Sequence, residues 1–348
     1  MHDNRIRQQT LEQYDIAEFT RDVIDFFSGK RAGHLSKWLY SNPRFPGDKA
    51  CGVDAWAQVA HDARDGSPYY VFRAEEDIIN AAAPCMQNMV VNRGARIIDI
   101  GPGSLDAVRG KMSPIIRAFE TAVREYVAVD VSEKSLSVAQ AEVARAFPFL
   151  NASTIRSDFI QDKFSYGQKI RDEIAVLLGL TLCNLPVDPL VSGLPERMLT
   201  SSLNRIRAHF SGQNNHLIIT QDMNQNTNTL RSAYTTREPV YMTLPHLIAR
   251  DVPISGDFDP TGFNLDIEFI PQTQACAMSF VAKKAMAFKI EDVTFKIQKG
   301  QRLYFHNAFK FDVNTFTRCA KQAGFGIKES ITQRNNPCVL HILQPCMS

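Results

Sequence analysis

The chain has 348 residues, of which 44% are hydrophobic and 22% charged. Its length suits a large core and two lobes, and its composition is ordinary for a globular protein. The formal net charge of +2 gives no electrostatic indication of nucleic acid or an anionic membrane as partner. No stretch of about 20 apolar residues is present to span a bilayer.

The seven cysteines are scattered along the chain without a Cys-x-x-Cys pair. An odd, unpaired set favours reduced thiols in the cytoplasm over a disulfide framework or a zinc site. The first residues are polar and lack the apolar segment of a secretory signal. We therefore expect a cytoplasmic protein without a bound metal.

In chain order, the first elements predicted are a helix over 5–29, a loop over 41–54 and a helix from about 74 to 88. The chain then alternates between strands and helices, which indicates a parallel sheet. The strands are predicted at 96–100, 125–130, 152–156, 173–178 and 216–221, and the helices at 105–120, 133–146 and 193–210. A cofactor should lie across the carboxyl ends of such strands.

After Asp222 the pattern changes to helical segments and then to short consecutive strands. These are predicted at 263–270, 275–282, 287–290, 294–297 and 302–309. A helix at 312–323 and strands at 325–330 and 338–344 return to the first pattern. We therefore predict an α/β fold with an inserted, partly antiparallel β lobe. Residues 74–222 and 312–348 would form one domain, and residues 1–73 and 223–311 the other.

The turn after the first strand of the sheet reads Ile98-Asp-Ile-Gly101-Pro-Gly103. A dinucleotide fingerprint would need a third glycine at position 106, where this chain has Asp106. The two glycines alone fit either a cofactor loop or an ordinary connection between strand and helix.

Acids at successive strand ends favour the cofactor loop. Asp99 precedes the glycines, and Asp130 ends the second strand, where a carboxylate can accept hydrogen bonds from both ribose hydroxyls. Asp158 and Phe159 follow the third strand and offer an acceptor and an aromatic wall for adenine. Each acid alone fits a surface position or a helix cap, but together they indicate an adenosyl cofactor without pyrophosphate, namely S-adenosylmethionine.

Several motifs over residues 35–345 resemble the histidine-specific N-methyltransferases of ergothioneine biosynthesis, a branch of the class I methyltransferases. The similar segments are Trp38-Leu-Tyr40, Tyr69-Tyr-Val-Phe-Arg-Ala-Glu75, the Gly101–Gly103 turn, Leu178-Gly179-Leu-Thr-Leu-Cys-Asn184-Leu185, Asp222, Leu230–Tyr234 and Lys310-Phe311. The resemblance implies a Rossmann-like sheet that binds S-adenosylmethionine and a separate substrate lobe. Gly179 is assigned to the residues that bind the cofactor.

The resemblance also implies roles for residues in the substrate pocket. Tyr69 and Asn184 would hold the carboxylate of the substrate, and Tyr40 would lie beside its amine as the catalytic residue. Tyr241 and Met278 complete the predicted substrate set together with the pair described next.

The strand that ends at Lys310-Phe311 departs from the family. In the family, a Glu and a Ser two residues apart on this strand bind the imidazole of histidine. In this chain the Glu position is His306 and the Ser position is Ala308. Strand alternation would place Tyr304, His306 and Ala308 on one face, so that His306 points into the pocket. The alternative is a buried histidine whose hydrogen bonds are satisfied inside the lobe.

The sequence thus predicts a methyltransferase of secondary metabolism for the amino group of an amino acid, or of a small molecule derived from one, other than histidine. Two alternatives stay open. The acceptor could be another small nucleophile, such as a guanidine or a non-amino-acid amine, or the chain could bind the cofactor without catalysis. The oligomeric state is not predicted.

Overall fold

The computed structural model describes residues 16–30, 34–41, 52–63, 66–89, 91–159, 162, 172–210 and 214–346. The first part is helical, with α1 over 16–27, then α2 (Trp38–Ser41), α3 (Gly52–Asp62) and α4 (Val71–Gln87). Helix α3 begins inside the segment expected to be a loop, so the prediction of 41–54 as loop is wrong at its end. Residues 5–15 and 42–51 lie outside the described residues.

The middle of the chain alternates between strands and helices, as predicted. The strands are β1 (Ala95–Ile100), β2 (Val123–Asp130), β3 (Asn151–Arg156), β4 (Asp172–Leu177) and β5 (Asn214–Asp222). The helices are α5 (Leu105–Ala107), a π-helical turn (Val108–Met112), α6 (Ser113–Ala118), α7 (Glu133–Ala146) and α8 (Leu194–His209). The helix predicted over 105–120 is therefore present but divided into three pieces.

The next part is mostly β. Helices α9 (Thr227–Thr235), α10 (Glu238–Tyr241) and α11 (Thr243–Asp251) precede a short strand, β6 (Ile254–Gly256), that the pattern did not predict. The five predicted strands follow as β7 (Phe263–Ile270), β8 (Ala275–Ala282), β9 (Met286–Ile290), β10 (Val293–Ile297) and β11 (Arg302–Phe309). The described chain ends with α12 (Val313–Gln322), β12 (Phe325–Thr332) and β13 (Cys338–Pro345).

Three sheets organise the described residues. The largest has seven strands in the order β12-β13-β5-β4-β1-β2-β3. Strands β1 to β5 run parallel, and β13 is antiparallel to both of its neighbours. Strands β6 to β11 form two antiparallel sheets of three strands each, ordered β10-β9-β6 and β11-β8-β7. The predicted α/β fold with a separate antiparallel part is therefore confirmed.

The packing explains the apolar strand sequences at the centre of the large sheet. All residues of β1 and β4 are buried, as expected for parallel strands covered by helices on both faces. One apolar cluster includes residues of α4, α6 and α7, and another includes residues of α8 and α12. A third cluster joins the N-terminal helices to the antiparallel strands. The carboxyl ends of the parallel strands are the place for a site in such a sheet.

Candidate functional site

A cavity of about 360 Å³ lies at the carboxyl ends of β1 to β4. All seven residues predicted to contact the cofactor line it, namely Asp99, Gly101, Gly103, Asp130, Asp158, Phe159 and Gly179. Asn184, Arg237 and His306 line the same cavity. The strand ends and part of the predicted substrate set therefore share one space.

The turn after β1 depends on its glycines. Gly101 and Gly103 have φ angles of +76° and +72°, a region that side chains with a Cβ adopt only at a cost. A Cβ on Gly101 would lie 3.2 Å from Oγ1 of Thr181. The backbone N–H of Gly101 donates to the carbonyl of Val129 at 2.8 Å. At these two positions the turn thus presents main chain without a side chain to the wall of the cavity.

Asp99 and Asp130 lie on this wall, and the pKa of each carboxyl is raised above its usual value. Burial raises the pKa of Asp99 to about 7, although the hydroxyl of Tyr126 donates to it at 2.7 Å and opposes that shift. Burial also raises the pKa of Asp130 to about 6, against hydrogen bonds from the backbone, including the N–H of Ser132 at 2.8 Å. Both carboxyls therefore titrate near physiological pH, and ligands that donate hydrogen bonds to Asp130 would favour its ionised form.

The turn after β3 is fixed by a third acid. The carboxylate of Asp162 accepts from the backbone N–H of Asp158 at 2.8 Å and from the hydroxyl of Ser157 at 2.9 Å. This local ring of hydrogen bonds sets the course of the chain at Asp158. The neighbouring Phe159 is buried and packs into the same apolar cluster as β1 and β4, so its ring is a fixed part of the wall.

Glu75 supports the opposite wall, and the sequence analysis gave it no role. It is fully buried in α4 and accepts from the backbone N–H of Gly179 and from Nζ of Lys111, each at 2.7 Å, and from the hydroxyl of Thr220. Lys111 lines the cavity and lies 3.9 Å from the ring centroid of Phe72. One carboxylate thus ties together α4, the turn after β4, the end of β5 and a lysine of the π-helical turn.

His306 lies on the cavity wall and is fully buried. Neither of its ring nitrogens has a hydrogen-bond partner among the described residues. Burial is the main cause that lowers the pKa of His306 well below its usual value, and the charges of Arg237 and Lys310 act in the same direction. The imidazole is therefore neutral at physiological pH.

Other predicted substrate residues lie next to His306 but not on the cavity wall. The ring centroid of Tyr241 lies 5.6 Å from that of His306. Met278 pairs with His306 across β8 and β11, and Ala308 pairs with Cys276 two positions along. These residues form a buried layer behind the wall.

Tyr69 and Tyr40 are the two remaining predicted residues. Tyr69 is buried, and burial raises its pKa above the usual value, although the charge of Arg237 opposes this. Its ring centroid lies 6.0 Å from that of Tyr234, and it is not part of the cavity wall. The backbone of Tyr40 belongs to α2, but its side chain lies outside the described residues.

A bulge in β11 corrects one prediction. Tyr304 pairs with Ser279 and His306 with Met278, so two steps along β11 correspond to one step along β8. Because neighbouring residues of β8 face opposite sides, Tyr304 and His306 also face opposite sides. The hydroxyl of Tyr304 donates to Glu268 at 2.5 Å on the partly exposed side. The predicted common face of Tyr304, His306 and Ala308 is therefore wrong for Tyr304.

Arg237 is the second residue that the sequence analysis missed. Its side chain is 3% exposed and lines the cavity. The central guanidinium carbon, Cζ, lies 5.4 Å from the ring centroids of Tyr69 and Tyr234 and 5.1 Å from that of Tyr241. These distances fit cation–π contacts. Arg237 thus joins three tyrosines, two of them in the predicted substrate set, to the cavity.

A buried ion pair lies behind this group. Nζ of Lys310 donates to the carboxylate of Asp222 at 2.5 Å and to the hydroxyl of Tyr234 at 2.8 Å. The hydroxyl of Tyr70 donates to the same carboxylate at 2.7 Å. Burial is the largest single influence on the pKa of Lys310 and acts to lower it. The charge of Asp222, together with Tyr234, Tyr70 and Cys276, outweighs burial and raises that pKa well above the usual value. The pair joins the end of β5 to the end of β11.

Two further observations concern metal ions and membranes. Within the described ranges, no group of three or more His, Cys, Asp or Glu side chains is arranged to hold a metal ion. No helix of that same part of the chain has the length and apolar character needed to cross a bilayer.

The sheet order, the glycine turn after β1 and the acids that follow β2 and β3 define an S-adenosylmethionine-dependent methyltransferase of class I. A family model described as histidine-specific, SAM-dependent methyltransferase matches residues 19–345, and the chain belongs to that family. The resemblance read from the motifs is therefore confirmed, and so are the enzyme class and the cofactor.

Individual relatives are distant. The uncharacterized protein y4iF of Sinorhizobium fredii is 24% identical over 258 residues, which cover 72% of this chain and 81% of that protein. An S-adenosylmethionine-dependent methyltransferase from Clostridium acetobutylicum is 11% identical, with a TM-score of 0.42, over 83% of this chain and 98% of its own. The CurJ carbon methyltransferase is 12% identical, with a TM-score of 0.47. The match covers 99% of this chain and 71% of the CurJ chain.

Proposed function

We propose that this enzyme transfers a methyl group to the amino group of an amino acid, or of a small molecule derived from one, and that histidine is not its preferred acceptor. The observation that carries the proposal is the single cavity that Asp130 and Asp158 share with Asn184, Arg237 and His306. Because cofactor and acceptor must meet for direct transfer, one space lined by both sets of residues is the arrangement that the reaction requires.

The cofactor end fits an adenosyl group. Asp130 would accept hydrogen bonds from the ribose hydroxyls, and Asp158 with Phe159 would bind the adenine. The main chain at Gly101 and Gly103 has no Cβ to fill the space beside it, which allows close approach of a ligand. Asp99, which already accepts from Tyr126, and Gly179, whose N–H is held by Glu75, would shape the remaining wall.

S-adenosylmethionine, when bound, supplies an electrophilic methyl group on a positively charged sulfur. The protein then has to hold a neutral amine in line with that methyl group and to keep water away. An α-amino group has a pKa of about 8, so a fraction is neutral at physiological pH. We propose that Tyr40 accepts a hydrogen bond from this amine, and that no stronger base is needed.

The acceptor end would bind the carboxylate of an amino acid. Asn184 lines the cavity, and its side-chain amide can donate to a carboxylate. We propose that Tyr69 is the second carboxylate ligand, with Tyr241, Met278 and Ala308 forming the layer behind the acceptor. The buried ring of Tyr69 lies beside Arg237, so a contact with the acceptor needs a small movement of the wall.

The preference against histidine follows from the pair at 306 and 308. A glutamate would accept a charge-assisted hydrogen bond from a ring N–H of histidine. The neutral His306, which the positive charges of Arg237 and Lys310 influence, offers no negative charge. Ala308 removes the second polar contact. A buried donor left without a partner costs about 1–3 kcal/mol, so a histidine ring should bind poorly in this enzyme.

The domain division is also part of the proposal. Residues 74–222 and 312–348 would form the cofactor domain, and residues 1–73 and 223–311 the substrate lobe. The partner would be a small molecule, without nucleic acid or membrane, and the acceptor would belong to secondary metabolism. We place the enzyme in the cytoplasm because the six cysteines that lie among the described residues are free thiols.

The experiment that tests this proposal is methyl transfer from labelled S-adenosylmethionine to a panel of acceptors. The panel pairs each common amino acid with the amine that lacks its carboxylate, and it includes guanidines. We expect label on the nitrogen of at least one amino acid, with kcat/KM at least about tenfold above its decarboxylated partner and above histidine.

Tyr69→Phe is the variant arm of the same assay. Because this change removes only a hydroxyl near the acceptor, KM for the amino acid should rise while the Kd of S-adenosylhomocysteine stays unchanged. Histidine as the fastest acceptor would contradict the stated selectivity. Transfer only to amines without a carboxylate, or no transfer by protein that binds S-adenosylhomocysteine, would contradict the proposed function.

A further inference from the structure

We propose that Lys111 binds the carboxylate in the amino-acid part of S-adenosylmethionine and thereby anchors the end of the cofactor opposite the adenine. The sequence analysis gave Lys111 no role. The inference rests on the proposed orientation of the cofactor, with the ribose at Asp130 and the adenine at Asp158. It goes beyond the proposed function, because it holds for any methyl acceptor.

The order of the strand ends gives the place of the amino-acid part. Asp130 ends β2, and Asp158 follows β3. These strands lie at one edge of the large sheet, in the order β4-β1-β2-β3. An adenine at the end of β3 and a ribose at the end of β2 leave the ends of β1 and β4 for the rest of the cofactor. The wall there includes the glycine turn after β1 and Gly179 after β4.

Lys111 lies at this part of the cavity. It belongs to the π-helical turn that closely follows the glycine turn, and its buried side chain lines the cavity. Such π-helical turns often occur at functional sites. Nζ of Lys111 donates to Glu75 at 2.7 Å, and the same carboxylate accepts from the N–H of Gly179 at 2.7 Å. One shared carboxylate therefore joins Lys111 to the turn after β4.

The ion pair presents its positive member to the cavity. Glu75 is fully buried and is not part of the cavity wall, whereas Lys111 is. Glu75 also accepts from Gly179 and Thr220, so donors other than the lysine stabilise its charge. An ammonium has three N–H donors, and within the described part of the chain the hydrogen bond of Lys111 goes to Glu75. Further donors of Lys111 are thus available to a ligand.

The charges of the cofactor select the group that a lysine can bind. S-adenosylmethionine carries a positive sulfur, an amine that is positive at physiological pH, and a carboxylate, which is its anionic group. The charge of Lys111 attracts the carboxylate and repels both positive groups. A hydrogen bond from an ammonium to a carboxylate is also stronger than one between neutral groups. The carboxylate is therefore the part of the cofactor that Lys111 favours.

The other basic residues on the described wall lie elsewhere. Lys134 is in the first turn of α7, close to Asp130 and the proposed place of the ribose. Lys37 and Arg237 belong to the proposed substrate lobe. Lys111 is the basic residue that follows the glycine turn and shares a carboxylate with the turn after β4.

Two ligands test this inference with the intact wild-type protein. Calorimetry would measure the Kd of S-adenosylhomocysteine and of its decarboxylated analogue, which retains the adenosine, the sulfur and the amine. We expect S-adenosylhomocysteine to bind about tenfold or more tightly than the analogue, because only the former offers a carboxylate to a charged donor. Equal affinity for the two ligands would overturn the inference, and this comparison needs no variant to fold.

Variants of the π-helical turn locate the effect. Lys111→Gln keeps a donor for Glu75 but removes the charge, and it should remove most of the preference for S-adenosylhomocysteine. Lys111→Arg should keep part of the preference, because a guanidinium also pairs with a carboxylate. Arg109→Gln is the matched control. Arg109 belongs to the same turn, is half-exposed, pairs with Glu142 of α7 and is not on the cavity wall, so both Kd values should stay unchanged.

The decarboxylated analogue separates cofactor binding from a purely structural role of the ion pair. If Lys111→Gln weakens both ligands by the same factor, the lysine only supports the shape of the cavity and the inference is overturned. A preference that survives at full size in Lys111→Gln also overturns it. Neither ligand includes the methyl acceptor, so these outcomes are independent of the proposed function, which the acceptor panel tests.

Discussion

Lys310→Met is expected to lower the free energy of unfolding by about 3–5 kcal/mol, because it leaves the carboxylate of Asp222 buried without its cation. Both side chains of the pair have no exposure to solvent. The hydrogen bond from Tyr70 stays in place but supplies no positive charge. Equilibrium unfolding in urea, followed by circular dichroism, measures the loss.

Two comparisons sharpen this experiment. Lys289→Met removes an exposed lysine of β9 and should change stability by less than about 0.5 kcal/mol. The double variant Lys310→Met with Asp222→Leu should recover a part of the loss, because no buried charge is then left alone. A loss below about 1 kcal/mol in Lys310→Met would contradict the ion pair as a structural element.

Asp130→Asn is expected to weaken the binding of S-adenosylhomocysteine by about 10- to 100-fold, because hydrogen bonds to a charged acceptor are worth about 1.5–3 kcal/mol. The wild-type Kd should also depend on pH. Protonation of Asp130, whose pKa is about 6, removes the charged acceptor. The contribution of Asp130 to binding should therefore be constant above that pKa and weaken by up to about tenfold per pH unit below it.

Calorimetry from pH 5 to 8 separates these effects. The Asp130→Asn variant should lose the inflection near pH 6, since no carboxyl remains at that position. Glu133→Gln changes an exposed acid close by at the start of α7, and it should retain both the affinity and the inflection. The same pH profile in wild type and Asp130→Asn would contradict a role for Asp130 in cofactor binding.

The strands and the acids at their ends could be predicted from the sequence, because each is recognised from a pattern of neighbouring residues. Alternation and apolar runs placed β7, β8 and β11 with the bounds that the structure has. The carboxyl ends of adjacent parallel strands meet at one edge of the sheet. Acids at 99, 130 and 158 therefore had to lie near one another once the strands were recognised.

What sequence reasoning missed depends on contacts between distant segments. The bulge between Tyr304 and His306 is a property of the pairing with β8, and one strand alone does not reveal its register. Arg237 stands in a polar run, Thr-Thr-Arg-Glu-Pro, and its contact with the ring of Tyr69 joins two segments that are far apart in the sequence. Glu75 likewise acquires its partners from positions 111, 179 and 220.

The central claim is that cofactor and acceptor share the cavity at the ends of β1 to β4. A crystal structure of the protein with S-adenosylhomocysteine and the amino acid that it methylates tests this claim most directly. We expect density for the ribose at Asp130, for the adenine beside Asp158 and Phe159, and for the amino acid against Asn184. Density for either ligand outside this cavity would contradict the account.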